Sequence, residues 1–210
     1  MTEPTALGDL ELAALVSSRI CHDVINPVSA IANGLEMLGQ EPDQAMREAA
    51  MDLIRKSAAQ ASAKLQFARL AFGAAGSSGA EIDLRDAEKV ARDFAAGSGK
   101  HQVTWQGPAV TLPKNKVKLL LNLVALGVAA LPRGGTVHVA IGGTPVSFVV
   151  RAKGDAAKLT DQVRSLLSGT NGVAVDAHLI QPYYARRVAA AAEMTVTADA
   201  RDDEVELTAA

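Results

Sequence analysis

The stretch SSRICHDVINPVSAIANGLEML, residues 17–38, decides how this chain is read. Two stripes run through it and extend toward the N-terminus. Leu10, Ala14, Ser17, Cys21, Val24, Val28, Ile31, Leu35 and Leu38 recur at steps of three and four. That is the coiled-coil-like pattern of a long helix with a partner. Glu11, Ser18, Arg19, His22, Asn26, Ser29, Asn33 and Glu36 form a second, polar stripe opposite or beside the first. His22 is therefore expected to face solvent in the middle of a rigid helix. Asp23 follows it, and Pro27 lies five residues on. Proline inside a helix removes one backbone hydrogen bond and costs about 3 kcal/mol. It also frees a carbonyl and bends the helix locally. Such a departure from good helix design is expected where a site has work to do. A neutral, exposed imidazole, with an ordinary pKa of about 6.5, is a nucleophile near pH 7.

Other readings of the same residues are weaker. Cys21 and His22 are adjacent, so on a helix they point about 100° apart and cannot form a nucleophile–base pair. Cys21 falls on the apolar stripe and reads as a small core residue. A His-Asp metal site would need further ligands on a neighbouring helix, and residues 43–72 contain no histidine. His101 and His138 sit near or on strands and read as ordinary, partly buried residues. From pattern alone a solvated surface histidine remains the alternative for His22.

Outward from this stretch, Gly39 and Pro42 stop the first helix and Asp43 caps a second. Met46, Ala50, Leu53, Ser57, Ala61, Leu65, Ala68 and Phe72 carry the second stripe. A two-helix hairpin cannot bury two such stripes alone, so a homodimer closing a four-helix bundle is expected. Residues 73–79, GAAGSSG, form a small-residue linker with nothing to bury. The reading is a helical hairpin over 1–72, a linker over 73–80 and a second domain over 81–210.

The second domain alternates helices with short strands. Helices are expected over Asp86–Ala95, Pro113–Ala130, Ala156–Leu167 and around Val175–Ala192. Strands are expected at Gln102–Gln106, Thr136–Ile141, Val146–Arg151, Met194–Ala198 and Glu204–Leu207. The middle pair should form a hairpin across Gly142-Gly143. The class is α+β, with the second domain an α/β two-layer sandwich on a mixed sheet.

Composition narrows the function. With 21 Lys+Arg against 23 Asp+Glu, the net charge of −2 argues against a nucleic-acid binder held by a basic face. The single Cys leaves no internal disulfide. The start, MTEPTALGDLELA, lacks the basic and apolar regions of a signal peptide. The apolar run Leu119–Leu131 is broken by Asn122 and too short to span a bilayer. A cytoplasmic protein without a membrane partner is expected.

His22, Asp23 and Pro27 match the histidine-kinase signature H-[ED]-x-x-x-P, and the SSRICHD run is similar to that of ChpT-type histidine phosphotransferases of alphaproteobacteria. The resemblance extends over the whole chain and implies a phosphoacceptor helix followed by a domain resembling the kinase ATP-binding domain. Residues 121–139 resemble the kinase N-box. Asn122 and Leu123 fit its first positions, but Leu126 stands for the magnesium-holding Asn and Ala129 for the Lys. In the following D-x-G-x-G motif, Ala152 stands for the adenine-reading Asp and Ala156 for the second Gly. The second phosphate loop is not recognisable around Gly169–Gly172. Leu and Ala offer neither oxygen nor charge to a magnesium-bound triphosphate. The resemblance thus implies a kinase-like fold without nucleotide or bound cofactor.

It also implies phosphotransfer. His22 would take a phosphoryl group, through Nε2, from one receiver-domain aspartate and pass it to another, with Mg²⁺ held by the receiver. The donor would be the receiver of a hybrid histidine kinase and the acceptors cell-cycle response regulators. Asp23 would accept the Nδ1 proton or orient the ring. Ser18, Arg19, Asn26, Ser29 and Asn33 would dock the receiver, Arg19 by pairing with its acidic site. Asp23-Val-Ile-Asn26 also fits the [ED]-x-x-[TN] phosphatase pattern, so a receiver phosphatase stays open. So does a degenerate kinase that only sequesters response regulators.

Overall fold

The first apolar–polar pattern folds as one uninterrupted helix. α1 spans Asp9–Gly39 and keeps Pro27 inside it. α2 spans Gln44–Ala71 and is capped by Asp43, whose carboxylate accepts from the Met46 amide at 2.8 Å. The computed structural model describes residues 7–40, 42–73, 80–170 and 173–210. Most of the expected linker, 74–79, lies outside them.

The two helices meet through small residues. Pro27 and Gly34 are the buried residues of α1; Ala50, Ser57 and Ala61 face them from α2. A Cβ added at Gly34 would stand 2.7 Å from Ile54 Cγ1, so glycine sets how closely the helices approach here. One hairpin leaves much of the apolar stripe on α1 exposed, as expected, but the core place expected for Cys21 is not seen. Leu10, Val28 and Leu35 are 89%, 45% and 57% exposed, and Cys21 is exposed as well. Periods of three and four identify an apolar sector but cannot tell which edge of it meets the adjacent helix. Small Pro and Gly, which hydropathy ignores, took that place.

The second domain begins with the short strand β1 (Glu81–Asp83), paired antiparallel with β3 (Thr111–Pro113). Both were too short to read as strands in sequence. Between them lie α3 (Leu84–Ala96), capped by Asp83, and β2 (His101–Gln106). Then follow α4 (Lys114–Ala129), β4 (Gly135–Gly142), β5 (Ser147–Lys153), α5 (Asp161–Ser168), α6 (Ile180–Ala191), β6 (Val196–Arg201) and β7 (Glu204–Ala209). The main sheet runs β2-β4-β5-β7-β6, with β2–β4 parallel and the other pairs antiparallel. This is the mixed sheet expected. Val137, Val139, Phe148, Val150, Val205 and Leu207 point to one face, which the helices cover, while His138, Arg151 and Glu206 lie on the other. A Cβ at Gly127 of α4 would meet Val137 and Val150 at 3.3 Å, so α4 lies close against the sheet.

Two helices are shorter than expected. α5 starts at Asp161, because Thr160 caps it through its hydroxyl at 3.3 Å from the Val163 amide, and Ala156 sits at φ 60 in a turn. α6 starts at Ile180 because Asp176 folds the preceding residues into a turn, accepting from the His178 and Leu179 amides at 2.9 Å each. Pro182 then falls in the first turn, where no amide is needed.

The hairpin and the second domain share a core. Phe67 and Ala71 of α2 are buried among residues of α3, α4 and the sheet, and the Phe67 and Phe94 rings stack at 4.0 Å.

Candidate functional site

His22 lies near the middle of α1 with its side chain 59% exposed. Ser18, Asn26, Ser29 and Asn33, one to three turns away on the same side, are exposed too. Arg19 and Asp23 are half-buried and engaged with each other, Arg19 Nε donating to Asp23 Oδ2 at 2.9 Å. The other Asp23 oxygen is 3.7 Å from His22 Nδ1, close enough for attraction but too far for a hydrogen bond. Arg19 also reaches the second domain, its NH1 donating to the His178 carbonyl at 3.5 Å.

Two residues of this neighbourhood escaped sequence reasoning. Lys64 of α2 donates to the Asp23 carbonyl at 2.7 Å. That carbonyl would normally accept from the amide of residue 27, and residue 27 is proline. The acceptor freed by Pro27 is thus held by an ammonium group from the facing helix, one residue from His22. The second is His178, whose ring meets the His22 ring edge to face, with centroids 5.5 Å apart and planes at 79°. Its loop is seated by apolar contacts. Val173, Val175 and Leu179 pack with Leu12, Leu15 and Val16 of α1 around buried Leu166, Ile180 and Tyr183. The Leu7 amide donates to Tyr183 Oη at 3.0 Å. Apolar residues alternate with Asp176 and His178 along this segment. That alternation was the available signal, and it was absorbed into an expected helix.

The end of α2 is bound to the second domain by polar side chains. Asn122, fully buried, donates to the Ala71 carbonyl at 3.2 Å and to the Lys118 carbonyl at 2.8 Å. Lys118 Nζ and Tyr184 Oη both reach the Phe72 carbonyl, at 3.5 and 3.4 Å. Gln181 reaches the Asn122 carbonyl oxygen at 3.5 Å. The Ala71 and Phe72 carbonyls are among those that a helix terminus leaves without internal partners. Burial lowers the pKa of Lys118, with Lys114 adding to the effect, and burial raises that of Tyr184. Hydrogen bonds from the Leu179 and His178 amides, the former the stronger, hold the Asp176 carboxyl below the usual carboxylate range.

The positions compared with the kinase motifs lie apart from this cluster. Leu126 and Ala152 are buried in the core; Ala129 and Ala156 are exposed. Among the described residues no three His, Cys, Asp or Glu side chains gather as a metal ion would require. Among them, too, no helix is long and apolar enough to cross a membrane.

A family model described as the histidine phosphotransferase C-terminal domain matches residues 84–204, more than half of the chain. The chain belongs to the histidine phosphotransferase family. It is 46% identical over 208 residues to the protein phosphotransferase ChpT of Brucella abortus (strain 2308), covering 98% of each chain. The fold matches a solved bacterial phosphotransferase with a TM-score of 0.90 at 44% identity, over 100% of both chains. The chain is therefore a phosphotransferase of the histidine phosphotransferase family, and its fold as a whole is the one it shares with that solved phosphotransferase.

Proposed function

We propose that this phosphotransferase carries a phosphoryl group on His22 between the aspartates of receiver domains, without using ATP. The observation that carries the reading is the exposure of His22 on an unbroken helix, within a polar strip formed by Ser18, Asn26, Ser29 and Asn33. A folded receiver can bring its aspartyl phosphate against such a strip; a buried histidine would admit no folded partner. The N–P bond forms at Nε2 as the P–O bond to the receiver aspartate breaks. The bonding pair leaves with the carboxylate, and the Nδ1 proton stays on the imidazole. Magnesium in the receiver's acidic pocket neutralises the charge on the phosphoryl oxygens, and positioning supplies the rest of the catalysis. The donor is the receiver of a hybrid kinase, and the acceptors are response regulators in the cytoplasm.

Asp23 orients the site through Arg19. That pairing also means Arg19 meets a receiver only from a position already shared with Asp23 and His178. The functional unit is a homodimer: Ile25, Val28 and Leu35 of α1 and Met46, Leu53 and Leu65 of α2 are large apolar side chains exposed in one chain. ATP has no place in the reaction, because Leu126, Ala129, Ala152 and Ala156 stand where the kinase motifs use Asn, Lys, Asp and Gly.

The test is incubation with a phosphorylated receiver and magnesium in the absence of ATP. Label should move onto this chain, disappear on acid treatment as a phosphoramidate does, and be absent from His22→Ala. That variant should unfold like wild type, since an exposed substitution costs within about 0.5 kcal/mol. Label on His22→Ala, or label on His101, His138 or His178 of wild type, refutes the assignment.

A further inference from the structure

We propose that His178 of the second domain is a positioning residue for phosphotransfer at His22; the inference rests on the reading of His22 as phosphoacceptor. The starting point is how little else holds the His22 ring. Its side chain is 59% exposed and stands 3.7 Å from the Asp23 carboxylate, outside hydrogen-bond range. The His178 ring, edge to face at 5.5 Å, is the ring contact it makes among the described residues. An imidazole on a solvated helix turns freely about its Cβ–Cγ bond. In-line attack on phosphorus needs one nitrogen lone pair held along the breaking bond, and a neighbour that narrows the rotation raises the fraction of productive encounters.

His178 is itself held in place from four directions. The Asp176 carboxylate accepts from its amide and from that of Leu179. Arg19 donates to its carbonyl while holding Asp23, so one guanidinium links the segment to the helix that carries His22. Val175 and Leu179, on either side, pack into the apolar cluster against α1. Behind them, Asn122 and Gln181 join the second domain to the end of α2 through a buried hydrogen-bonded contact. A loop anchored this thoroughly, ending in an exposed imidazole set against another, is built to place that ring. This gives the second domain a part in the reaction that needs no nucleotide: it is a fixed arm that delivers a second imidazole to the phosphoacceptor.

The test compares wild type with His178→Ala and His178→Phe in single-turnover transfer from a phosphorylated receiver, with the imidazole resonances of His22 recorded in the free protein. His178→Ala should lower the maximal transfer rate about two- to tenfold, the rate equivalent of a lost aromatic pair. The receiver concentration giving half-maximal rate should not move. His178→Phe, which keeps a ring edge at the same place, should recover most of the rate. The His22 ring resonances should shift in His178→Ala and shift less in His178→Phe. Unchanged transfer and unchanged His22 resonances in His178→Ala overturn the inference. A change confined to the half-maximal receiver concentration also overturns it, by making His178 a docking contact alone. If wild type takes up no label on His22, the phosphoacceptor reading fails and takes this inference with it; label on wild type at an equal rate in His178→Ala removes this inference only.

Discussion

The pairing of Lys64 with the carbonyl that Pro27 releases makes a quantitative prediction about a double-mutant cycle. In wild type the Asp23 carbonyl accepts from the Lys64 ammonium at 2.7 Å. A hydrogen bond to a charged group contributes about 1.5–3 kcal/mol when well buried. Lys64 is only half-buried, so solvent competition reduces this to about 1 kcal/mol. Lys64→Met keeps the packing of the stem and removes the donor, and should cost about that amount. Pro27→Ala restores a backbone amide to position 27, four residues from the same carbonyl. With that amide present, the carbonyl no longer depends on Lys64, and Lys64→Met should cost no more than about 0.3 kcal/mol.

The coupling energy between the two positions should therefore be about 1 kcal/mol. Pro27→Ala alone gains helix stability, up to about 3 kcal/mol in an exposed helix. Here Pro27 is buried against α2 and the freed carbonyl is already satisfied, so lost packing offsets much of the gain and about 1 kcal/mol should remain. Urea unfolding of the four proteins at one fixed chain concentration measures all these quantities, the fixed concentration being needed because association adds to stability. Additivity within about 0.3 kcal/mol would refute the reasoning, since it would mean that Lys64 and the amide at position 27 do not compete for one acceptor.

Three further outcomes are expected. Leu35→Glu combined with Leu53→Glu should dissociate or unfold the protein in sedimentation experiments, since both side chains are exposed apolar groups of the hairpin; a folded, monomeric wild type would rule out the dimer. Calorimetric titration with ATP and magnesium should show no heat of binding, and micromolar affinity would show that the substitutions at Leu126, Ala129, Ala152 and Ala156 do not remove the nucleotide site. The Asp176 carboxyl, lowered by its bonds to the Leu179 and His178 amides, should stabilise its turn above the unfolded carboxyl pKa of about 3.9 and lose that contribution as pH falls through the lower folded value. Amide exchange at His178 and Leu179 should then be slower in wild type than in Asp176→Ala at pH 7, with the difference closing in acid; equal exchange at pH 7 would contradict it.

What the sequence revealed, and what it concealed, follows from the range of the interactions. The hairpin was legible because helix period, the Asp43 cap and the Gly39–Pro42 break are local signals. The strands of the main sheet were legible because Val137, Val139 and Ile141, and Phe148, Val150 and Ala152, alternate on one covered face. The strip Ser18, Asn26, Ser29 and Asn33 was legible because three- and four-residue spacing puts these positions on one side of a helix. Lys64 was not, because its partner is a backbone carbonyl 41 residues away. Nor was His178, which meets the N-terminal helix across 159 residues of chain, as measured at its contact with Arg19. The side of α1 that meets α2 was not legible, because its buried residues, Pro27 and Gly34, lie beside the apolar stripe rather than on it.

Asn122 shows how the second domain and the hairpin act as one device. It fits the first position of the kinase N-box, yet it is fully buried and donates to two backbone carbonyls, one at the end of α2 and one within α4. A buried amide is costly unless its hydrogen bonds are made, so this side chain favours one placement of α2 against α4 over its neighbours. Gln181, two residues beyond Leu179, lies in the first turn of α6 and donates to the side-chain oxygen of the same Asn122 at 3.5 Å. The segment that carries His178 is therefore continuous with the helix that meets the joint. A motion that draws the second domain away from the hairpin breaks the Asn122 bond to the Ala71 carbonyl or shifts His178 away from His22. Holding the first keeps the second, and if His22 is the phosphoacceptor proposed, that is how the second domain bears on chemistry at a helix it does not contain.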